Sequence, residues 1–400
     1  MTLSAEGHAR VDAAQNRLIA LRRDLHRHPE VARQEHATTA RISAELQALG
    51  LSPQTLTAGT GLFCDVVGEA GPLVVLRADL DALPLQDHKQ VPYRSRVDGV
   101  CHACGHDVHT AALLGAAVAL VGEPLQGTVR LLFQHAEEVM PGGAQDAIAD
   151  GCLDGAQAVF GLHCDPTLDV GTVGLRAGAL TSAADMLTIT LRGPGGHTSR
   201  PHKTVDLVHA LAAVATGLPA ALSRAVDPRA GLCLTWGHIA AGRAANAIPD
   251  EGRLLGTLRV LDHTWWERLP HLVERFAREL VATSGADIEV HCLRGVPPVM
   301  NDDGLIGLLA EVVHAQLGDT AAVPIPQSLG GEDFGWYLEK TPGAMARLGV
   351  RTPGSAIVHD LHQPGFDVDE AAIAIGARLL AGAATAFLVP GRAETLSAKR

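Results

Sequence analysis

A chain of 400 residues exceeds the size at which one hydrophobic core usually stops growing, so two domains are expected. A content of 47% hydrophobic and 19% charged residues excludes a disordered chain, and with only 3% aromatic residues the core must be filled by aliphatic side chains. The formal charge of -12, with no run of basic residues, excludes a partner bound through its phosphate backbone, so no nucleic acid is expected.

The amino terminus, MTLSAEGHARVDAAQ, is polar and lacks the apolar stretch of a secretory signal, so a cytoplasmic chain is expected. Periodicity predicts amphipathic helices over 8–28 and 36–50, then strands over 61–67 and 73–78. A buried helix over 111–121, a strand over 128–133, a short helix over 144–149 and a strand over 156–162 follow. This alternation predicts an α/β domain whose sheet is flanked by helices. From 185 onward the order is strand 185–192, helix 203–224, strand 231–240, strand 252–261, helix 264–284 and strand 286–294. That is the βαββαβ order of a ferredoxin-like α+β domain. Helical signals at 302–317 and 369–388 return to the composition of the first part, so the first domain is expected over 1–183 and 297–400, with 184–296 inserted. The longest apolar stretch, 371–390, is interrupted by Arg378 and weakened by Gly and Pro, which predicts a buried helix and no membrane span. Seven scattered cysteines predict reduced core thiols and no disulfide framework.

Four segments each end a strand, or a loop beside one, in side chains that bind metal ions. They are Asp79 and Asp81 in RADLDALP, Cys104 and His106 in CHACGHD, Glu137 and Glu138 in QHAEE, and His163 in GLHCDP. A fifth, DLHQPGF around His362, lies near the carboxyl end. Ligands of α/β sheets bind beyond the carboxyl ends of strands, so these loops are expected to converge on one crevice. Thiolate, imidazole and carboxylate together suit zinc and neighbouring first-row divalent ions, whereas Mg or Ca prefers oxygen alone. Asp79 and Asp81 share a face of an extended segment, while Glu137 and Glu138 are expected on opposite faces, one for metal and one for substrate. Taken singly, each piece has a plainer reading: a satisfied structural histidine, a solvated acidic face, an Asp that caps a turn. The weight lies in their joint occurrence. Cys101 and Cys104 form a C-x-x-C that leaves open half a zinc knuckle, a redox pair or a nucleophilic cysteine, although no second C-x-x-C and no cysteine-hydrolase signature accompanies it. H-E-x-x-H, G-x-S-x-G and a Walker loop are absent, and GPGGHTSRPH (193–202) lacks the spacing of a dinucleotide fingerprint.

Together these segments resemble the dinuclear-metal amidohydrolases that include hippurate hydrolase, the plant auxin-conjugate hydrolases and the N-acyl-amino-acid amidohydrolases. The likeness runs from LRRDLHRHPE at 21–30 to LHQPGF at 361–366, with RADxDALP, HACGHDxH, AEE, GGHTSRPH, NAIPD and GGEDF in the family's order. The resemblance implies hydrolysis of the amide bond of small N-acyl amino acids by two divalent ions per subunit, with zinc, manganese, cobalt and nickel as the choices. A dipeptidase or carboxypeptidase using the same site and a non-catalytic metal-binding protein are the alternatives. It implies Cys104, His106, Glu138, His163 and His362 as metal ligands, Glu137 as the catalytic base and Asp81 as a residue orienting a ligand from behind. The inserted domain is expected to act in lid closure and dimerisation, with His197 reaching the active site across a homodimer. Asn246 in NAIPD and Arg259 in GTLR match substrate-binding positions, and a guanidinium suits a carboxylate. Three positions depart from the family's usual pattern: His135 stands where proline is usual, Val139 where glycine is usual and Cys101 where methionine is usual. All three are expected to line or adjoin the acyl pocket.

Overall fold

Helix α1 (Ala5–Arg27) starts at Ser4, whose hydroxyl accepts the Gly7 N–H, and it buries Val11, Leu18, Leu21 and Leu25 along one stripe. Helix α2 (His36–Ala48) is capped by the Glu30 carboxylate, which accepts the N–H groups of Ala37 and Thr38. Strands β1 (Gln54–Thr55), β2 (Leu62–Val67) and β3 (Leu73–Asp79) lead to helix α3 (His106–Leu120). Strand β4 (Thr128–Gln134), helix α4 (Ala144–Ala149), and strands β5 (Ala156–Asp169), β6 (Val173–Leu175) and β7 (Gly178–Thr181) follow. The computed structural model describes residues 3–356 and 358–397, and the chain forms two units. The first holds the chain up to Gly178 with Met300–Pro326 and everything from Asp333; the second holds Ala179–Val299 with Gln327–Glu332. The segment 327–332 thus groups with the second unit, although composition assigned it to the first.

The second unit contains β8 (Ala183–Arg192), β9 (Gly196–His197), α5 (Leu207–Ala225), β10 (Cys233–Ala241), β11 (Ala247–Ile248), β12 (Glu251–Val260), α6 (His263–Val281) and β13 (Asp287–Val296). Its four-stranded sheet has the order β10-β12-β8-β13, antiparallel throughout, which is the ferredoxin-like arrangement that βαββαβ predicts. Asp206 and Asp262 cap the two helices by accepting the N–H groups of His209 and Trp265. Helix α5 is long and apolar enough to span a membrane by composition, but Leu207, Leu211, Val214, Leu218 and Leu222 form a buried stripe, and the helix packs on the sheet and on α6. The helix begins four residues later than expected because Pro201–Lys203 form a separate 3-10 turn.

The chain then returns through β14 (Val299–Asn301) to α7 (Asp303–Leu317), β15 (Ala322–Pro324), α8 (Gly335–Leu338), β16 (Gly343–Arg351), α9 (Ala371–Phe387) and α10 (Arg392–Ser397). The eight-stranded sheet of the first unit has the order β1-β2-β4-β3-β5-β16-β6-β15, with β4, β3, β5 and β16 parallel at its centre. Strand β3 is buried from Val74 to Asp79, as a central parallel strand must be. Helices α1, α3, α9 and α7 pack side by side. α3 and α9 approach closely because small residues face each other: a Cβ on Gly115 would lie 2.6 Å from the Ala377 Cβ, and one on Gly376 would lie 3.1 Å from the Ala112 Cβ. Both helices are buried almost all round, which is why their apolar residues show little of a one-sided pattern.

Candidate metal centre

Strands β4, β3 and β5 are parallel neighbours; β3 and β4 end level with the middle of β5, which brings Glu137–Glu138, Asp79–Asp81 and His163 to one edge of the site. Helix α3 starts at the same edge with His106, five residues earlier than its apolar pattern suggested. Gly105 makes that start possible: its φ is +90, and a Cβ there would lie 2.7 Å from the Cys164 Sγ.

Two imidazoles are oriented by their far nitrogens and a third by its backbone. His106 Nδ1 lies 2.8 Å from the Asp81 carbonyl and donates to it, which turns Nε2 toward Glu137 Oε2 at 3.9 Å and Glu138 Oε1 at 3.8 Å. That Nε2 is buried and has no hydrogen-bond partner among the described residues. His163 Nδ1 donates to the Cys164 carbonyl at 2.8 Å, leaving Nε2 3.5 Å from the Cys104 Sγ. His362 has a φ of +61, donates its backbone N–H to the Ala103 carbonyl at 2.7 Å and brings Nε2 within 3.3 Å of Glu138 Oε1. Cys104, His106 and His163 form one group whose donor atoms lie within 4.8 Å of one another, as do Cys104, Glu138 and His362, and His106, Glu137 and Glu138.

Glu137 and Glu138 do not alternate across a strand, as their adjacency led us to expect. β4 ends at Gln134 and Ala136 takes a φ of +55, a left-handed conformation uncommon outside glycine. The turn lets both backbone N–H groups donate to the Asp81 carboxylate, at 3.0 Å and 2.9 Å, while both side chains approach His106. Asp81 therefore holds His106 through its carbonyl and the two glutamates through its carboxylate.

Asp79 is engaged otherwise. Arg77 Nη1 and His109 Nδ1 each reach it at 2.6 Å, and His109 Nε2 in turn accepts the Cys164 N–H at 2.8 Å. With both ring nitrogens committed, His109 ties the end of β3 to the middle of β5 and has no lone pair left for a metal. The sequence reading passed over this residue, although HDxH sets it three positions after His106 and so on the same helix face. Arg77 was also missed. It is buried and also donates to Gln134 and Asp333, both at 2.8 Å, so the Asp of GGEDF anchors the RADxDALP strand.

Burial pushes the Cys104 thiol far up from its ordinary range, and Glu138 and Glu137 add to it. Burial disfavours a charged His106, but Asp79, Asp81 and Glu138 outweigh it and raise its pKa to about 10. His163 goes the other way, lowered by burial and by Arg347. A largely buried cluster with this much negative charge and an imidazole nitrogen without a partner among the described residues fits divalent cations, which supply the positive charge that burial withholds. The mixed sulfur, nitrogen and oxygen donors suit first-row ions.

His197, Asn246 and Arg259 belong to the second unit. His197 on β9 pairs with Ala247 on β11, next to Asn246, and both are exposed; its Nδ1 lies 2.8 Å from the Ser199 Oγ. Arg259 Nη1 donates to the Leu329 carbonyl at 2.6 Å, fixing the segment 327–332. The three departures from the family's pattern differ in exposure. Cys101 and His135 are 0% exposed, with His135 Nε2 turned to Asp146 at 3.1 Å, and only Val139, at 39%, keeps a surface.

Residues 75–386 match peptidase family M20/M25/M40. Over 366 residues, 92% of its length, the chain is 49% identical to a Rhodococcus jostii protein designated glutamate–cysteine ligase 2-3, of which it spans 46%. It is 39% identical over 378 residues to an N-acetyl-L-cysteine deacetylase of Bacillus subtilis, covering 93% of this chain and 89% of that one. A solved dinuclear metal-binding peptidase of the M20 family from Bacillus subtilis superimposes with a TM-score of 0.83 at 34% identity, covering 94% of this chain and 99% of that one. With its mixed eight-stranded sheet, its separate antiparallel sheet and this cluster of donors, the chain belongs to peptidase family M20/M25/M40, a family of metal-dependent amidohydrolases and peptidases.

Proposed function

We propose that this chain hydrolyses the amide bond of small N-acyl amino acids, releasing a carboxylic acid and a free amino acid. The observation that carries the reading is the gathering of Cys104, His106, Glu138, His163 and His362 donors around a spot that Glu137 also faces. The 39% identity to an N-acetyl-L-cysteine deacetylase supports the same class of bond.

In this reading those five residues hold two divalent ions, zinc, manganese, cobalt or nickel, which when bound polarise the amide carbonyl and acidify water. Glu137 takes a proton from the attacking water onto its carboxylate and passes it to the leaving nitrogen. Asp81 keeps Glu137 and Glu138 aimed together from behind. Arg259 and Asn246 bind the substrate, the guanidinium holding its carboxylate. In a homodimer, His197 of one protomer serves the site of the other by donating to the developing oxyanion.

The test is hydrolysis of N-acetyl, N-benzoyl and indole-acetyl amino acids and of dipeptides by chelated protein, before and after adding Zn, Mn, Co or Ni. Restored turnover of the N-acyl compounds is expected. Turnover confined to dipeptides turns the reading to a peptidase, and stoichiometric metal without any turnover turns it to a metal-binding protein. An active, monodisperse monomer in light scattering would remove the role given to His197.

A further inference from the structure

The turn that carries Glu137 and Glu138 depends on a residue that is poorly suited to it. Alanine at position 136, with its φ of +55, has no intrinsic preference for the left-handed region, so something outside the turn must hold it there. Three consecutive backbone N–H groups leave this turn toward buried carboxylates. Glu137 and Glu138 donate to Asp81, and Ala136 donates to Glu35 Oε1 at 2.8 Å. On the other side, the Ala136 carbonyl accepts the Gly143 N–H at 2.9 Å.

Glu35 comes from a distant part of the chain, 101 residues before Ala136, and its side chain is fully buried. It stands at the amino end of α2, where an acidic side chain would ordinarily cap the helix, yet its carboxylate makes no cap bond and Glu30 does that instead. A carboxylate withdrawn from water needs a compensating donor, and the Ala136 N–H is one.

We propose that Glu35 is a positioning residue: by accepting the Ala136 N–H it locks the left-handed turn and so aims Glu137 and Glu138 at one spot. The inference rests on the reading of that spot as a hydrolytic metal centre, and it assigns Glu35 no contact with substrate or metal. A purely structural role, fastening α2 to the sheet, is the competing account.

The experiment compares Glu35→Ala, Glu35→Gln, Ala136→Gly and the Glu35→Ala/Ala136→Gly pair in the full chain. Zn²⁺ affinity of chelated protein is read by competition with a chromophoric chelator, and kcat and KM with N-acetyl-L-cysteine. Glu35→Ala is expected to lower Zn²⁺ affinity or kcat about 10- to 100-fold, the range for residues that orient metal ligands from behind, with little change in KM. Glu35→Gln keeps an oxygen acceptor and should stay within about threefold of the parent. Because glycine enters the left-handed region without a penalty, Ala136→Gly should restore part of what Glu35→Ala loses. A Gln variant as impaired as the Ala variant, or losses that simply add in the pair, would overturn the proposal, as would an Ala variant with unaltered Zn²⁺ affinity and kcat. If Glu35→Ala is insoluble, recovery of soluble protein by Ala136→Gly supports the lock, and an equally insoluble pair counts against it. If the parent binds zinc but hydrolyses nothing, the hydrolase reading fails, and the Zn²⁺ affinities alone decide on Glu35.

Discussion

Replacing Asp81 by asparagine removes one acceptor from the centre of the site with almost no change of shape. Asp81 is 1% exposed, and each of its carboxylate oxygens accepts one backbone N–H, from Glu137 at 3.0 Å and from Glu138 at 2.9 Å. Asparagine keeps one oxygen and sets an NH₂ against the other N–H, donor facing donor. A hydrogen bond to a charged acceptor contributes about 1.5–3 kcal/mol, and a buried donor left unsatisfied costs about 1–3 kcal/mol. The two describe largely the same loss, so a total of about 2–3 kcal/mol is expected. If it falls wholly on holding Glu138 toward the metal, Zn²⁺ affinity drops roughly 30- to 150-fold, at about 1.4 kcal/mol per factor of ten. Competition with a chromophoric chelator measures that affinity, and urea unfolding of the chelated protein measures the part that falls on stability. Asp81→Asn with both the affinity and the unfolding midpoint unchanged would refute the reasoning, because the turn would then not depend on these bonds.

Glu137→Gln should retain its metal content but lose about 10²- to 10⁴-fold in kcat, the range for removal of a general base; metal analysis beside steady-state kinetics checks it. His163→Ala should lose bound metal as well as turnover, because it removes a buried nitrogen donor 3.5 Å from the Cys104 Sγ. Asp87 accepts the N–H groups of Lys89 and Ser95 and lies 3.4 Å from His26 Nε2; although burial works the other way, these contacts hold its carboxyl well below the carboxylate range. Its contribution to stability is therefore complete above the unfolded pKa, about 4, and is lost as the pH falls toward the folded value. In chelated Asp87→Asn protein, urea midpoints should accordingly fall less steeply than in the parent below about pH 4. Gly115→Ala puts a Cβ 2.6 Å from the Ala377 Cβ. Overpacking of about 1–3 kcal/mol should outweigh the roughly 1 kcal/mol gained in helix propensity, lowering the unfolding midpoint.

The two-unit organisation was legible because both kinds of pattern were strong: long amphipathic helices in α1 and α6, and the βαββαβ order of the insertion. Strand β16 escaped notice although it sits in the middle of the large sheet. GAMARLGVR is rich in Gly and Ala and has a single β-branched residue, so only pairing with β5 identifies it. The start of α3 was read five residues late because His106, Asp107 and His109 interrupt the apolar pattern with polar side chains that are buried by pairing, His109 with Asp79 of β3, His106 with the Asp81 carbonyl and Asp107 with Arg22 and His26 of α1. The site segments were recognisable as motifs, and the five donors gather as the motif order implied. Their orientation was not recognisable. A period of two applies only to extended backbone, and Ala136 leaves that regime before Glu137 is reached. His135 illustrates a similar limit: adjacency in sequence to Glu137 said nothing about the direction of its side chain, which is buried with Nε2 turned to Asp146.

Strand β16 also bears on synthesis. It lies between β5 and β6, so β5 has its second parallel partner only after residue 351 has left the ribosome. By then the whole second unit, Ala179–Val299 with Gln327–Glu332, has already emerged with its own sheet and two capped helices. For the whole of that interval the growing chain carries an open, apolar strand edge at β5, the kind of surface that nascent proteins aggregate through and chaperones cover.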